Sequence, residues 1–399
     1  KEVINSAVKL GLALNCNITE YNLYARKNYF YPDLPKGYQI TQDKTPICTG
    51  GHLEINTESS KKINLTRIHM EEDAGKSIHD LDPFYSLIDL NRAGVPLLEI
   101  VSEPEIRSSQ EAHAYLSEVR KLVRYLGISN GNMEEGSLRC DANISVRPIG
   151  TKELRNRVEV KNINSLKNVM KAIDLEVTRQ IECYNNNIEV HQETRNYNAA
   201  SNTTTVLRTK EDAHDYRYFP EPDLPPIIVD QDFIEKIKLE MPTLPKERYN
   251  QYTQEYKLSD YDAKLLIEDK NLSDLFNDII TYTKHYKIVA NLIMGTIKSY
   301  INEHSIDLQE LTVTSQQIAK LADMIANNQI SHIVVSQKLF PEMTKSDMSP
   351  DQIASNKGWI QKDDKNSIED LVNKVITKYP DKVDAYRNGN KNLLGMFMG

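Results

Sequence analysis

Apolar and polar side chains alternate most regularly between residues 138 and 147. A period of two is typical of a half-buried β-strand. A second alternating run, RVEVK at 157–161, follows after a connection too short for a helical crossover, so we expect an antiparallel pair. The polar face of that pair would carry Asp141, Asn143, Glu159 and Lys161 together.

Two stretches beside these strands repeat apolar residues with helical spacing. The first begins at Ser108, which forms a capping-box pattern with Glu111, and it ends at Gly127, where a C-cap belongs. The second follows Ser165. The apolar face of this second helix is predicted to contain Leu166, Val169, Met170, Ile173, Val177 and Ile181.

The pattern changes at Met241. PTLPKER reads as a proline-bounded linker, and apolar residues after it recur with helical spacing, as at Phe276, Ile279 and Ile280. The sequence therefore predicts an α+β protein, with strands and helices mixed in the first part and helices alone in the second.

Length and composition narrow the function. A chain of 399 residues favours two or three domains, and a net charge of −8 argues against a general polyanion binder, so any nucleic acid must meet a local patch or a partner. Four scattered cysteines disfavour a disulfide framework or a cysteine zinc site. No apolar run is long enough to span a bilayer, and we expect no membrane association.

The stretch IHMEEDAGKS, residues 68–77, ends an apolar run with three successive carboxylates. A solvated turn is the simplest explanation. Glu99 poses a sharper question, because Leu98 and Ile100 flank it. Ionised carboxylates are rarely buried without a partner, so Glu99 faces a cation, is neutral, or lies on the wet face of an edge strand.

Carboxylates on separate strands, without cysteine pairs, favour a hard cation such as Mg²⁺, which shares oxygen ligands with phosphate. Glu71 or Glu72, with Glu99 and Glu159, are the candidate metal ligands. No GxxxxGK[ST] motif occurs, so a P-loop is not supported. The spacing predicts a metal and phosphate site without identifying a substrate. The cations that could receive phosphate oxygens are Lys76, Arg139, Arg147 and Lys161.

Two further clusters mix aromatic residues with proline and charge. In ARKNYFYPDLPKGYQ, Lys27 and Lys36 bracket aromatic side chains, which suits RNA binding and a scaffold loop equally well. HDYRYFPEPDLPP, which begins at His214, is more typical of packing and extended backbone.

Six long motifs resemble one family. RKNYFYPDLPKGYQI, HMEEDAGKS, DLNRAGVPLLEIVSEPEI, MEEGSLRCDANISVRP, EVKNINS and DYRYFPEPDLPP, in this order, are similar to the B subunit of the glutamyl/aspartyl-tRNA amidotransferase, and the likeness covers essentially the whole chain. The resemblance implies an ATP-dependent carbon–nitrogen ligase of protein biosynthesis.

The resemblance implies a heterotrimer. The B subunit uses ATP and Mg²⁺ to phosphorylate the side-chain carboxylate of mischarged Glu-tRNA(Gln) or Asp-tRNA(Asn), the A subunit releases ammonia that displaces phosphate, and a small C subunit clasps both. It implies an antiparallel-sheet catalytic cradle resembling the glutamine synthetase fold at 1–240, a helical domain at 241–345, and the start of a tRNA-binding tail at 346–399. A bacterial cytoplasm is the expected location, with an organelle as the alternative.

The resemblance also assigns residues. Glu72, with Glu71, Glu99 and Glu159, would hold the metal, and Lys27 and Lys36 would line the ammonia tunnel. Glu72, Glu99 and Glu159 are the predicted catalytic residues, and Lys76, Arg139 and Lys161 the predicted phosphate contacts. In the helical part we expect dispersed cations beside Tyr286 and Tyr300 to contact tRNA, namely Lys284, Lys287 and Lys298.

The chain departs from the family pattern at both ends. A GLEVH motif whose Glu and His join the family's metal site is absent, and LLGMFMG ends without a cap, so we expect a fragment that lacks metal ligands. Two alternatives remain: the archaeal E subunit, although its large inserted domain is missing, and a non-catalytic tRNA-binding scaffold. The carboxylates at Glu72, Glu99 and Glu159 disfavour a scaffold, because negative charge repels phosphate.

Overall fold

The computed structural model describes residues 1–78, 81–82, 84–209, 216–361, 365–389 and 393–398. The chain divides into two compact units, Lys1–Gln251 and Tyr252–Gly399. Among the described residues, no helix is both long and apolar enough to cross a membrane. His214, at the start of the second aromatic cluster, lies outside the described residues.

The first unit contains the strands. They are β1 (Asn17–Ile18), β2 (Tyr21–Asn22), β3 (Ala25–Asn28), β4 (Tyr38–Thr41), β5 (Cys48–Thr49), β6 (His52–Asn56), β7 (Ser60–Glu72), β8 (Lys76–Ile78), β9 (Leu87–Asp89), β10 (Pro96–Ser102), β11 (Cys140–Ile144), β12 (Val158–Ile163), β13 (Glu193–Asn198), β14 (Thr203–Thr209), β15 (Phe219–Pro220) and β16 (Ile227–Ile228). Its helices include α1 (Glu2–Ala13), α2 (Ser109–Tyr125), α3 (Leu166–Asn185) and α4 (Gln231–Leu239).

Two sheets position the candidate site. The first has the order β1–β5–β7–β10 with β6 also on β7, and the second has the order β11–β12–β13–β14. The pairings are antiparallel except that β12 and β13 run parallel, with α3 as the crossover between them. The predicted α+β class with antiparallel sheets is therefore confirmed, as is the antiparallel pairing of β11 with β12.

The two predicted helices form, but one of their faces differs. The Ser108 hydroxyl caps α2 by accepting from the Glu111 amide, and Gly127 takes the left-handed conformation (φ +67°) that follows the helix. Ser165 caps α3 in the same way. The apolar spacing predicts Ile181 on the buried face of α3, but Ile181 is 43% exposed. The fully buried polar residues Glu176 and Gln180 occupy the interior position instead.

The described part of the second unit is helical, as the pattern predicted. Its buried residues include Phe276, Ile279 and Leu321. Two π-helical segments interrupt the α-helices, at Leu292–Ile297 and Val335–Leu339. From α5 onward the α-helices are α5 (Pro245–Gln254), α6 (Asp260–Glu268), α7 (Lys270–Ile279), α8 (Tyr286–Asn291), α9 (Lys298–His304), α10 (Ser315–Ala326), α11 (His332–Val334), α12 (Phe340–Met343), α13 (Pro350–Asn356), α14 (Lys365–Lys378), α15 (Pro380–Arg387) and α16 (Leu394–Met398).

Candidate active site

The register between β7 and β10 decides which carboxylates meet. Glu99 lies opposite His69, and Leu97 lies opposite Glu71. Directly paired residues share a face of a sheet, and residues two apart on one strand share it too. His69, Glu71 and Glu99 therefore project from the same face, although Glu99 is separated from the others along the chain.

These three side chains form a compact donor group. The His69 Nε2 atom lies 3.0 Å from Glu71 Oε1 and 3.7 Å from Glu99 Oε2. One ligand atom from each residue falls within 4.8 Å of the others. His69 is buried, and among the described residues its Nδ1 atom has no hydrogen-bond partner. Glu99 is half-exposed, so the group opens to solvent on its side.

Glu71 is held as a carboxylate. Thr41 Oγ1 donates to Glu71 Oε1 at 2.7 Å, and Gln39 Nε2 donates to Oε2 at 3.2 Å. Burial alone would raise the pKa of Glu71, but hydrogen bonds from His69 and Thr41 and the charge of Lys27 keep it below its ordinary value of 4.5. Because the pKa of Glu71 is lower in the folded state than in the unfolded state, its ionisation stabilises the fold at pH values above the unfolded-state pKa. This stabilisation is lost as the pH falls through the folded-state pKa.

Glu72 lies on the opposite face of β7. Lys36 Nζ approaches its two carboxylate oxygens at 2.5 and 2.7 Å, and the Ile40 amide donates to Oε1 at 2.8 Å. The sequence predicted that Glu72 shares a metal with Glu99; in the structure Glu72 lies beside Lys36, because adjacent residues of a strand point to opposite faces. Of the two glutamates that the sequence left as alternatives, Glu71 is the one beside Glu99.

Glu159 lies on the second sheet, with the partners that the alternating pattern predicted. Asn143 is opposite Glu159 in the antiparallel register. Lys161 Nζ bonds to an Asp141 carboxylate oxygen and lies 3.3 Å from Glu159 Oε1. Burial would lower the pKa of Lys161, but the charges and hydrogen bonds of Asp141 and Glu159 raise it above its ordinary value, so Lys161 remains an ammonium.

One cleft of about 2270 Å³ in the first unit joins the two sheets. Asp73, immediately after β7, is buried and bonds to Arg139 at 2.5 Å, which links the end of the first sheet to the start of β11. Glu72 and Lys36 are not among the residues that line this cleft. Its polar lining includes Glu71, Asp73, Lys76, Glu99, Arg139, Asp141, Glu159 and Lys161.

The remaining candidates lie elsewhere. The Lys27 ammonium sits 4.8 Å from the centre of the Tyr216 ring and 5.8 Å from that of Tyr29. In the second unit, Lys284 lies just before α8 and Lys298 begins α9, and both are exposed. Lys287 is exposed too, but it forms an ion pair with Asp262.

The neighbouring tyrosines of the second unit are packed against other rings. Tyr286 stacks on Tyr256 with ring centres 4.4 Å apart, and Tyr300 stacks on His304 at 4.0 Å. Each ring therefore already has an aromatic neighbour within the unit.

Sequence reasoning did not assign three polar residues that the site uses. His69 was recognisable, because it precedes Glu71 by two positions on a strand and so shares its face. Asp73 belongs to the acidic stretch, but its partner Arg139 is distant in the chain. Thr41 gave no signal, because it reaches Glu71 only through the packing of β4 against β7.

Residues 1–235 match the GatB/GatE catalytic domain, and residues 274–399 match the GatB domain. These matches place the first unit in a class of catalytic domains. Two similar proteins are the B subunits of the aspartyl/glutamyl-tRNA(Asn/Gln) amidotransferases of Thermodesulfovibrio yellowstonii and Pelodictyon phaeoclathratiforme. Each is 46% identical to this chain over 400 residues, and the alignment covers 100% of this chain and 84% of the relative. The corresponding B subunit of Thermotoga sp. strain RQ2 is 44% identical over 404 residues, with the same coverage of both chains. The chain belongs to the family of amidotransferase B subunits.

Proposed function

We propose that this chain activates and amidates the side-chain carboxylate of mischarged Glu-tRNA(Gln), Asp-tRNA(Asn) or both, as the names of its relatives indicate for those proteins. The observation that supports this chemistry is the cleft lined by two groups of acidic residues, around Glu71 and Glu159, with Lys76 and Arg139 in the same lining. Carboxylates and cations that share one cleft suit a metal-dependent transfer of phosphate.

Activation is needed because a carboxylate oxygen is a poor leaving group. In the proposed first step a carboxylate oxygen of the aminoacyl group attacks the γ-phosphorus of ATP, and ADP leaves. Ammonia then attacks the carbonyl carbon of the acyl phosphate, and inorganic phosphate leaves as the amide forms. Lys76, Arg139 and Lys161 are proposed to receive phosphate oxygens, and Asp73 and Asp141 hold two of these cations in the cleft.

The donor set fits the Mg²⁺ that the family implies. Mg²⁺ is usually held by one or two protein carboxylates and shares substrate phosphates, and Glu71 and Glu99 supply two carboxylates that converge on His69 Nε2. When bound, the ion would neutralise negative charge on the nucleotide and on the attacking carboxylate. Glu159, across the cleft, is the further proposed ligand.

The other face of β7 suits the passage of ammonia. The paired Lys36 and Glu72 form a polar region that does not line the cleft. Lys27, beside the Tyr216 ring, lies on the Glu71 side instead, because it pairs with Gln39, which bonds to Glu71, and its charge lowers the pKa of Glu71. We assign these residues to the ammonia route and expect the ammonia to come from an A subunit, with a C subunit completing the assembly. We also propose that the domains of the chain divide at residues 240 and 345. The first domain is proposed to be a catalytic cradle that resembles the glutamine synthetase fold.

The test is an amidation assay on the chain assembled with its A and C subunits. With ammonium chloride in place of glutamine, we expect Gln-tRNA(Gln) or Asn-tRNA(Asn) to form only when ATP and Mg²⁺ are present, with one ADP per amide. Glutamine-driven activity by the chain alone, or amide formation without ATP, contradicts the proposal. A chain that binds tRNA but never consumes ATP would support the scaffold alternative.

A second prediction concerns the helical unit. Replacing Lys284 and Lys298 together with glutamine should weaken tRNA binding, because each phosphate contact releases counterions. The plot of log affinity against log salt concentration should become less steep, by about 0.7–0.9 in the magnitude of its slope for each lysine–phosphate pair that the replacement removes. Filter-binding titrations at several salt concentrations measure this slope.

Lys287→Gln is the internal comparison for that experiment. Asp262 already neutralises the Lys287 ammonium, so we expect a smaller change in tRNA affinity. The turnover at saturating tRNA should stay unchanged for all three replacements. A loss of saturated turnover with intact tRNA affinity would show that the binding assignment is wrong.

A further inference from the structure

Glu159 is fixed by contacts to both of its carboxylate oxygens. Lys161 lies 3.3 Å from Oε1, and the Thr194 hydroxyl donates to Oε2 at 2.9 Å. Thr194 is only 3% exposed, whereas the Glu159 side chain is 28% exposed and lines the cleft. The hydroxyl therefore approaches, from the protein interior, a carboxylate that lines the cleft.

The parallel register of β12 and β13 creates this contact. Glu159 is paired with Thr194, so the two side chains share a face of the sheet. The neighbours of Thr194 on β13 point to the other face, where Arg195 binds Glu193 at 2.6 Å and lies 3.8 Å from the fully buried Glu176. This charged network on α3 and β13 anchors the strand from behind.

We propose that Thr194 is a positioning residue, which holds the Glu159 carboxylate in the orientation required for activating the aminoacyl group. Loss of the hydroxyl removes the 2.9 Å hydrogen bond to Oε2 and should let the carboxylate turn toward Lys161, in a closer ion pair that competes with the cleft. Partners that orient a carboxylate ligand typically contribute 10–100-fold to metal affinity or activity. This inference rests on the proposed function and assigns one further residue to the same site.

The experiment compares Thr194→Val, which has nearly the same shape but lacks the hydroxyl, with Thr194→Ser, which retains the hydroxyl. In the assembled complex we expect valine to lower kcat by roughly 10–100-fold and to raise the half-saturating Mg²⁺ concentration, with the KM for tRNA unchanged. Serine should restore most of both values. Mn²⁺ binding to the complex without ATP or tRNA, followed by electron paramagnetic resonance, should weaken for valine and recover for serine.

Thr205→Val is the matched control, because Thr205 is an exposed threonine on β14, in the same sheet. It should match the unmodified complex in kcat and Mn²⁺ affinity. Melting temperatures check folding, and Thr194→Ala replaces the valine variant if that variant does not fold. A folded variant without the hydroxyl that retains normal kcat and Mn²⁺ affinity overturns the inference, as does a serine variant as impaired as valine.

Glu159→Gln separates this inference from the proposed function. If the glutamine variant keeps full amidation activity, Glu159 has no role in catalysis and the proposed assignment of Glu159 fails. If Glu159→Gln loses activity while Thr194→Val does not, the assignment of Glu159 stands and the role of Thr194 fails.

Discussion

Replacing Glu71 with glutamine is expected to lower ammonium-driven amidation by the assembled complex by about 100-fold or more, the scale on which one preorganised electrostatic contact acts in a transition state. Glu71 is central to the donor group with His69 and Glu99, and its lowered pKa keeps it ionised. Glutamine preserves the volume and an oxygen that Thr41 can reach, so the fold should persist. Single-turnover formation of the amide at saturating tRNA measures the effect.

Glu72→Gln provides the control for this prediction. It makes the same chemical change one residue along β7, on the face that binds Lys36. We expect ammonium-driven amidation to stay close to that of the unmodified complex and glutamine-driven amidation to fall, because ammonia from the partner would meet an altered passage. If Glu72→Gln suffers the larger loss with ammonium, the metal and ammonia assignments of the two glutamates must be exchanged.

The parts of the site that were predictable from sequence depend on short-range patterns. Alternation and a short connection predicted that β11 and β12 pair and that Asp141, Glu159 and Lys161 share a polar face. The alternation and the short connection both lie within about twenty residues of chain. Over that distance, the strand period and the loop length allow few ways for two strands to pair. The cap of α2 was predictable for the same reason, since Ser108 and Glu111 contact each other within one helical turn.

The choice between Glu71 and Glu72 depends on long-range pairing. In a run of successive acidic residues, side chains point alternately to the two faces of the strand. Only the register of β7 with β10 shows which of the two glutamates lies beside Glu99. Thr194 is a similar case, because a threonine in a strand is ordinary until the parallel pairing places it beside Glu159. The resemblance to the family pointed to this stretch of the chain, but face and register are tertiary properties.

Glu176→Ala is expected to produce the largest loss of stability in the first unit. The Glu176 side chain is fully buried and receives Arg179 at 2.7 Å and 2.9 Å and Gln180 at 2.7 Å, with Arg195 at 3.8 Å. Its removal takes away the nearest counter-charge of Arg179 and leaves Glu193 alone to balance both Arg179, at 3.5 Å, and Arg195, at 2.6 Å. Breaking a buried ion pair in this way costs about 3–5 kcal/mol.

The loss corresponds to a fall in melting temperature of roughly 6–20 °C for a domain of this size. Circular dichroism on heating measures it, and hydrogen exchange should increase most at Glu193–Asn198, the strand that the network anchors. Glu182→Ala, which replaces an exposed glutamate on the same helix, should change the melting temperature little. An equal fall for both variants would contradict the role of the buried charge, because alanine has the highest helix propensity and neither replacement should weaken the helix itself.

The functional consequence of the same variant follows from the position of β13. If the network behind the strand holds Thr194 against Glu159, then loosening β13 should lower amidation even at temperatures where the unit remains folded. Glu176→Gln, which keeps the volume and the contact to Gln180 but removes the charge, should lose stability to an intermediate degree and affect Mn²⁺ binding in the same direction as Thr194→Val. A stability loss without any change in Mn²⁺ binding would mean that β13 keeps its register without the charge of Glu176, and that the hydrogen bond from Thr194 suffices to hold Glu159.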